Sequence, residues 1–393
     1  MALPYELFCD EVLCRLPVKY LLRCRCVSKE WCSTIDSNAF VKKHLKKSIE
    51  CNPYGDGVIF TVANKFHFTD LESLYANDVT VLEINDPLKT VLSGTVFVGA
   101  SNCLACFRNK VKNEFLLLNP STRKYKKIPS MPHEFASWFE MEEVPQCGFG
   151  YDQVNDNYKV VSIADLLEQG NPDRFGVMVL VYSLKTNNWT QIHNIPSNYY
   201  LSIPLGMYKS GVLHWSAIKS SPGICSEYII VGFDLGLEQF KEVPSPAVDG
   251  KFVVPGGGSF WVLEKCTNSR MTVWHSNSNG TQNLWYKAFS VEQPGAIGSF
   301  EFIRPVAFSN RGNDILLEVD NTKLVWYDPE TKVVKNVRIH GIPTKFSLHL
   351  YREGLLQLTD KEQLLKTPSE EKKEKKQQKK RDNFLSKGFK LKL

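Results

Sequence analysis

The chain has 393 residues, 43% of them hydrophobic, enough for a short module plus one large domain of ordinary globular composition. No run is apolar for long enough to cross a bilayer as a helix. The first ten residues hold an acidic pair (Glu6, Asp10) and no basic leader, so no secretory signal is expected and the cytoplasm and nucleus are the expected compartments. The net charge of +6 lies in the tail: residues 360–393 carry 12 Lys/Arg and 6 Asp/Glu, the rest of the chain 36 of each. A neutral body lacks the basic stripe that nucleic-acid binding requires.

In chain order, residues 1–48 read as short helices. Pro4 suits a helix start, and Leu7, Phe8, Val12, Leu13 and Leu16 recur at helical spacing. Pro17 separates a second helix with Val18, Leu21 and Leu22. Ser28 is the expected N-cap of a third, carrying Trp31 and Ile35. Asn38 is the expected cap of a fourth, with Phe40, Val41, His44 and Leu45 on one face. Helices this short do not bury so much apolar surface among themselves, so part of it is expected to meet the downstream domain or a partner. Cys9, Cys14, Cys24, Cys26 and Cys32 are interleaved with these residues as small core side chains, the expectation for reduced thiols.

The run Leu3-Pro4-x-x-Leu7, Glu11-Val-Leu-Cys-Arg-Leu-Pro-Val-Lys19 and Leu21-Leu-Arg-Cys-Arg-Cys-Val-Ser-Lys29-x-Trp31 resembles the plant form of the F-box motif from end to end. The resemblance implies binding to a Skp1-like adaptor protein and, through it, to a cullin and a RING protein. It implies Leu3, Pro4, Leu7, Val12, Leu13, Leu16, Pro17, Val18, Leu21, Leu22, Val27 and Trp31 as the adaptor-binding residues. The motif here follows Met1-Ala2 directly, without the leader often found in the family.

From about Gly57 to Leu358 short alternating runs separated by turn residues mark an all-β domain. An internal repeat emerges when Asn119, Ser183, Asp234 and Asp328 are taken as turn anchors. One residue before them stand Leu118, Tyr182, Phe233 and Tyr327; six after stand Tyr125, Trp189, Phe240 and Val334. A looser fifth copy is anchored at His275, and the intervals are 64, 51, 41 and 53. A period near fifty fits four-stranded blades stacked around an axis. The expected fold is therefore mainly β: a kelch-like β-propeller of about six blades behind a small all-α helical module. Leu348–Tyr351 and Leu355–Leu358 are the strands expected to help close the ring. A two-sheet sandwich is the alternative.

Gly148-Phe-Gly-Tyr-Asp152 with Asn157-Tyr-Lys-Val-Val161, Asn119-Pro-Ser-Thr-Arg123 and the run Ser183 to Trp189 resemble the F-box-associated domain of plant F-box proteins. The resulting division is 1–48 F-box, 49–359 F-box-associated substrate-binding domain and 360–393 basic tail. The resemblance implies a substrate-recognition subunit of an SCF-type (Skp1–cullin–F-box) E3 ubiquitin ligase, which marks a protein substrate for proteasomal degradation. Residues 316–327 and 381–393 are similar to a branch of the family that restrains plant defence. For that branch the implied substrate is an NLR (nucleotide-binding leucine-rich-repeat) immune receptor. S-locus F-box proteins share the architecture and imply other substrates, such as S-RNases.

No catalytic residue, cofactor or metal is expected. Cys103-x-x-Cys106 has no second pair, and no histidines stand at ligand spacing. There is no phosphate loop, no G-x-S-x-G and no telling pair of carboxylates. Residues 367–382, dominated by Lys, Glu and Gln, have no apolar face and read as disordered or as a solvated helix; the basic run 372–381 reads as a nuclear import signal or as plain solubility.

Overall fold

Alternating apolar residues need a second layer on each side, and stacked blades provide it. The computed structural model describes residues 9, 11–52, 57–63, 65–76, 78–84, 88–109, 111–132, 135, 146–167, 174–193, 198–221, 224–243, 246, 251–256, 259–267, 270–276, 285–309, 313–342 and 345–358. Their antiparallel strands make six blades. Blade 1 runs outward through Ser347–Tyr351, Gly57–Val62, Lys65–Asp70 and Leu82–Glu83. Blade 2 follows with Thr95–Ser101, Leu104–Asn109, Phe115–Asn119 and Lys124–Lys127, and blade 3 with Gln146–Asp152, Asn157–Leu167, Arg174–Ser183 and Asn188–Ile192. Blade 4 comprises Leu205–Lys209, Val212–Ser221, Ile224–Asp234 and Gln239–Val243. Blade 5 comprises Lys251–Gly256, Ser259–Thr267, Arg270–Ser276 and Trp285–Glu292, and blade 6 Ile303–Phe308, Ile315–Val319, Lys323–Tyr327 and Val334–His340.

The ring closes twice. The last strand, Ser347–Tyr351, pairs with the first, Gly57–Val62, from Gly57↔Tyr351 to Thr61↔Ser347. Farther out, Asp78–Thr80 leaves blade 1 and adds a parallel fifth strand to blade 6, Ile339 opposite Val79. Between the two closures Phe60, Leu74 and Leu348 pack on Leu316, Leu324 and Trp326. Tyr75 stacks on Trp326 at 4.4 Å, and the indole Nε1–H of Trp326 donates to the Leu74 carbonyl. The expected strand at Leu355–Leu358 does not form: residues 352–358 have no strand pairing. A short apolar run is compatible with either state, and Leu355 is drawn instead into the helical head.

The repeat found in the sequence is a repeated hairpin. In blades 2, 3, 4 and 6 the residue before the anchor faces the residue six after it: Leu118↔Tyr125, Tyr182↔Trp189, Phe233↔Phe240 and Tyr327↔Val334. Four residues after each anchor the backbone turns left-handed, at Arg123, Asn187, Glu238 and Lys332. The anchor side chain accepts backbone N–H groups within its own turn, as Asn119 does from Ser121 and Thr122, Asp234 from Gly236 and Leu237, and Asp328 from Glu330 and Thr331. Short polar side chains are favoured there because they cap the turn locally. In the looser fifth copy His275 lies in the third strand of blade 5, and the turn after it falls outside the described residues.

Before the ring, the described residues include a 3-10 turn, Leu13–Arg15, and the helices α1 (Val18–Cys24), α2 (Lys29–Asp36) and α3 (Asn38–Cys51). Ser28 caps α2 as expected, accepting from Trp31 N at 3.1 Å. The cap of α3 is Ser37, not Asn38: Ser37 Oγ accepts from Phe40 N. Head and ring form one compact unit that ends at Leu356.

Equivalent register does not mean equivalent burial. Trp189 is buried against Phe115 of blade 2 and donates Nε1–H to the Pro129 carbonyl, whereas Phe240 is half-buried. Trp189→Ala is expected to cost about 3–5 kcal/mol and Phe240→Ala clearly less. Denaturant unfolding of the full chain checks this; equal losses would contradict the burial difference.

Candidate protein-docking site

The apolar residues of the head divide into two sets. Leu13, Val18 and Leu21 are buried with Cys14, Ile35 and Phe40 in the head's own core. His44 is buried beside them, its Nε2 within 2.9 Å of the Leu16 carbonyl. Leu16, Leu22 and Trp31 pack on this core while remaining half-exposed. Pro17 is exposed, as are Val12 at 38% and Val27 at 64%. Tyr20, with Arg23 over its ring, adds an exposed aromatic that the motif reading did not include. Leu3, Pro4 and Leu7 lie outside the described residues. The twelve residues read from the motif thus include an internal set that shapes the helices and an outward set that presents an apolar surface.

The head sits on one face of the ring. Successive strands reverse direction, so the turns between first and second strands and between third and fourth strands emerge on one face. The head touches turns of this kind. Lys42 of α3 forms an ion pair with Asp156, in the first turn of blade 3. Asp156 also accepts the Tyr151 hydroxyl, and Lys42 and Tyr151 together hold its carboxyl below the usual range. Farther along α3 the carbonyl and hydroxyl of Ser48 accept from Arg352 Nη1 at 2.9 and 3.1 Å. A cleft of about 850 Å³ opens between head and blade 1, with Arg15, Lys19 and Lys47 on the head side and Asp70, Glu72 and Glu353 on the ring side.

The Gly148–Asp152 and Asn157–Val161 motif builds this seat. The first strands of blades 3 and 4 touch through a parallel pairing, Gly206↔Gly148. A Cβ on Gly150 would lie 2.3 Å from the Tyr208 ring, so the close approach requires glycine. Asp152 Oδ1 accepts from Val154 N and Asn155 N, shaping the turn that carries Asp156. Asp152 Oδ2 meets Lys159 Nζ at 2.9 Å, with side chains 0% and 6% exposed. Lys159 also reaches Glu238 at 2.8 Å and the Leu235 carbonyl in blade 4. The motif is therefore structural: it locks two blades together and shapes the turn under α3. The sequence contained both charged residues but gave no sign that they meet.

Among the described residues no group of His, Cys, Asp and Glu is placed to hold a metal. Burial pushes the Cys103 thiol up to about 11 and raises that of Cys106 as well, which suits core residues of blade 2. No helix among the described residues is long and apolar enough to cross a membrane.

The profile of the F-box domain matches residues 3–43, and that of the F-box associated beta propeller domain matches residues 58–362. The chain belongs to the F-box proteins with an F-box-associated β-propeller. F-box protein CPR1 of Arabidopsis thaliana is 31% identical over 98% of both chains. An F-box/kelch-repeat protein of the same plant is 29% identical over 80% of this chain and 85% of that one. A solved oligogalacturonate lyase in complex with manganese superposes only loosely, with a TM-score of 0.40 and 12% identity over 70% and 71% of the two chains, and bears no weight for function. F-box proteins are substrate-recognition subunits of SCF ligases, and the F-box is the part that engages a Skp1 adaptor.

Asp152 gives the F-box seat a pH dependence. Burial alone would raise its carboxyl, but hydrogen bonds from Asn155 and Lys159 hold it below the usual value. A depressed folded pKa contributes stability above about pH 4, lost as pH falls through the folded value. Lys159→Met leaves a buried carboxylate without its cation and is expected to cost about 3–5 kcal/mol at neutral pH. The gap to wild type should narrow as pH falls through the variant's own Asp152 pKa, which burial raises once Lys159 is gone, and on through the depressed wild-type value, because protonation relieves the stranded charge. Urea unfolding from pH 3 to 7 checks both; a pH-independent gap would contradict this assignment.

Proposed function

We propose that this chain is the receptor of an SCF-type ubiquitin ligase in which the outward F-box residues Val12, Pro17, Leu22, Val27 and Trp31, joined by Tyr20, bind a Skp1-like adaptor. Through it the receptor joins a cullin and a RING protein, and the chain itself carries no catalysis. The observation that carries the reading is an apolar surface left outside the head's core on a segment of F-box sequence. In this reading 1–48 is the adaptor module, 49–359 the target-holding ring and 360–393 a separate basic tail, and the protein works in cytoplasm and nucleus.

The target surface in this reading is the face away from the head. There the middle hairpins of blades 3 and 4 run past their outer strands: Arg174–Ser183 pairs with its outer neighbour only from Val179, and Ile224–Asp234 only from Ile230. A further short strand, Tyr199–Leu201, pairs with Val212–Ser221 of blade 4 and sets Tyr200 beside Ile218, which in turn faces Tyr228; both tyrosines are exposed. Aromatic anchors of this kind dominate many protein interfaces. The target class we favour is an NLR immune receptor, which makes the chain a negative regulator of plant defence. The support is the full-length similarity to F-box protein CPR1 together with residues 316–327 and 381–393.

Val27→Asp places a charge on the outward surface without disturbing the core. It is expected to weaken capture of a recombinant plant Skp1-like protein by at least about thirtyfold, the scale of a 2 kcal/mol anchor, with unchanged thermal unfolding. Unaltered capture would remove this surface from the interface. The same variant, expressed in plant cells with the proteasome inhibited, should accumulate its target. NLR receptors recovered with Val27→Asp, and lost when Tyr200 and Tyr228 are also changed to Ala, are the expected outcome. Recovery of S-RNases instead would favour the S-locus reading.

A further inference from the structure

The core of the F-box contains a residue from the far end of the ring. Leu355, 2% exposed, is buried among Leu13, Val18, Leu21, Ile35 and Phe40, and Leu356 packs at the edge. Both follow the strand that closes the propeller, Ser347–Tyr351, by only a few residues. The chain between is held on both sides. Arg352 grips α3 at Ser48, and its own N–H donates to the Asn102 carbonyl of blade 2. Gly354 N donates to Ser121 Oγ, and a Cβ on Gly354 would lie 2.5 Å from that of Cys103. Asn119 Nδ2 donates to the carbonyls of Gly354 and Leu356 at 3.0 and 2.9 Å.

Asn119 therefore has two tasks. Its oxygen caps its own turn, as Asp234 and Asp328 do in blades 4 and 6. Its amide nitrogen binds residues 354 and 356, which a carboxylate cannot do because it has no donor. Helices α1, α2 and α3 have 7, 8 and 14 residues, and helices this short depend on tertiary packing. Removing a buried leucine from so small a core removes a large part of what keeps them folded.

We propose that residues 352–356 are a bolt coupling ring closure to adaptor binding: the F-box is held in its binding form only when the last strand has closed the propeller and delivered Leu355 to the head. An adaptor selects the folded head, so apparent affinity falls with the fraction of heads that are folded. A receptor whose ring is open or cut before Arg352 would then fail to occupy the ligase, although its F-box sequence is intact. The proposal rests on the adaptor-receptor reading.

The test uses the full chain and a recombinant plant Skp1-like protein as probe, with affinity measured by calorimetry and hydrogen exchange followed in parallel. Asn119→Asp keeps the turn cap and removes the two donated bonds. It is expected to weaken adaptor binding about tenfold and to speed exchange in α1–α3 while the amides of blades 3 to 5 keep their protection. Leu355→Ser should do the same more strongly. Asp234→Asn, the converse change in a turn away from the bolt, should leave both readouts at the wild-type level. Unchanged α1–α3 exchange in Asn119→Asp would overturn the proposal, as would loss of protection throughout the ring at the same rate as in the head. A wild-type chain that does not bind the probe would instead overturn the adaptor reading, and the exchange data would still decide whether the bolt holds the head.

Discussion

A propeller is an open row of blades until its last strand meets its first, and here that contact is Ser347–Tyr351 lying along Gly57–Val62. Each blade faces neighbours on both sides, so an unclosed ring would leave two broad apolar faces in water. The seam is correspondingly well furnished. Its core joins Val58, Phe60 and Leu348 to Leu316 and Trp326. Arg304 of blade 6 pairs with the buried Glu318 and also donates to the Leu348 carbonyl of the closing strand. The outer strand Asp78–Thr80 repeats the clasp at the rim. Because Arg352 to Leu356 follow this seam directly, the position of the head depends on it as well.

The polar groups of the ring's head-side face are arranged as local solutions to one problem, that of ending two strands in a tight turn without stranding backbone N–H groups. The anchor residues solve it with a side-chain acceptor and a left-handed residue four positions on. Once such a turn exists, its remaining polar atoms are available to neighbours. Asn119 uses them to hold the chain behind the F-box, and Asp156 uses the first turn of blade 3 to hold Lys42. The docking contacts were thus built from turn chemistry the blades already required. The face away from the head carries instead the extended ends of the middle strands of blades 3 and 4, where variation leaves the ring's seams untouched.

The amino-acid sequence determined a good deal by local rules. The period-two runs and polar turn residues fixed the strands, and the anchors at Asn119, Ser183, Asp234 and Asp328 fixed the hairpin register, because turn geometry and strand alternation are properties of a few consecutive residues. The F-box run fixed the kind of head, and Ser28 its α2 cap. What tertiary structure alone decided were the choices made between distant segments. Leu13 and Val27 belong to one motif, yet one is buried and the other exposed, and only the packing of the head's helices separates them. Lys159 and Asp152 stand in a recognisable motif whose meaning, an ion pair sealing blade 3 to blade 4, required Glu238 and Leu235 to arrive from the next blade. Leu355 reads as one more strand residue, since alternation cannot tell a strand from an extended segment buried among helices; its place in the head follows from ring closure, which brings residue 355 beside residue 13 for reasons no local pattern contains.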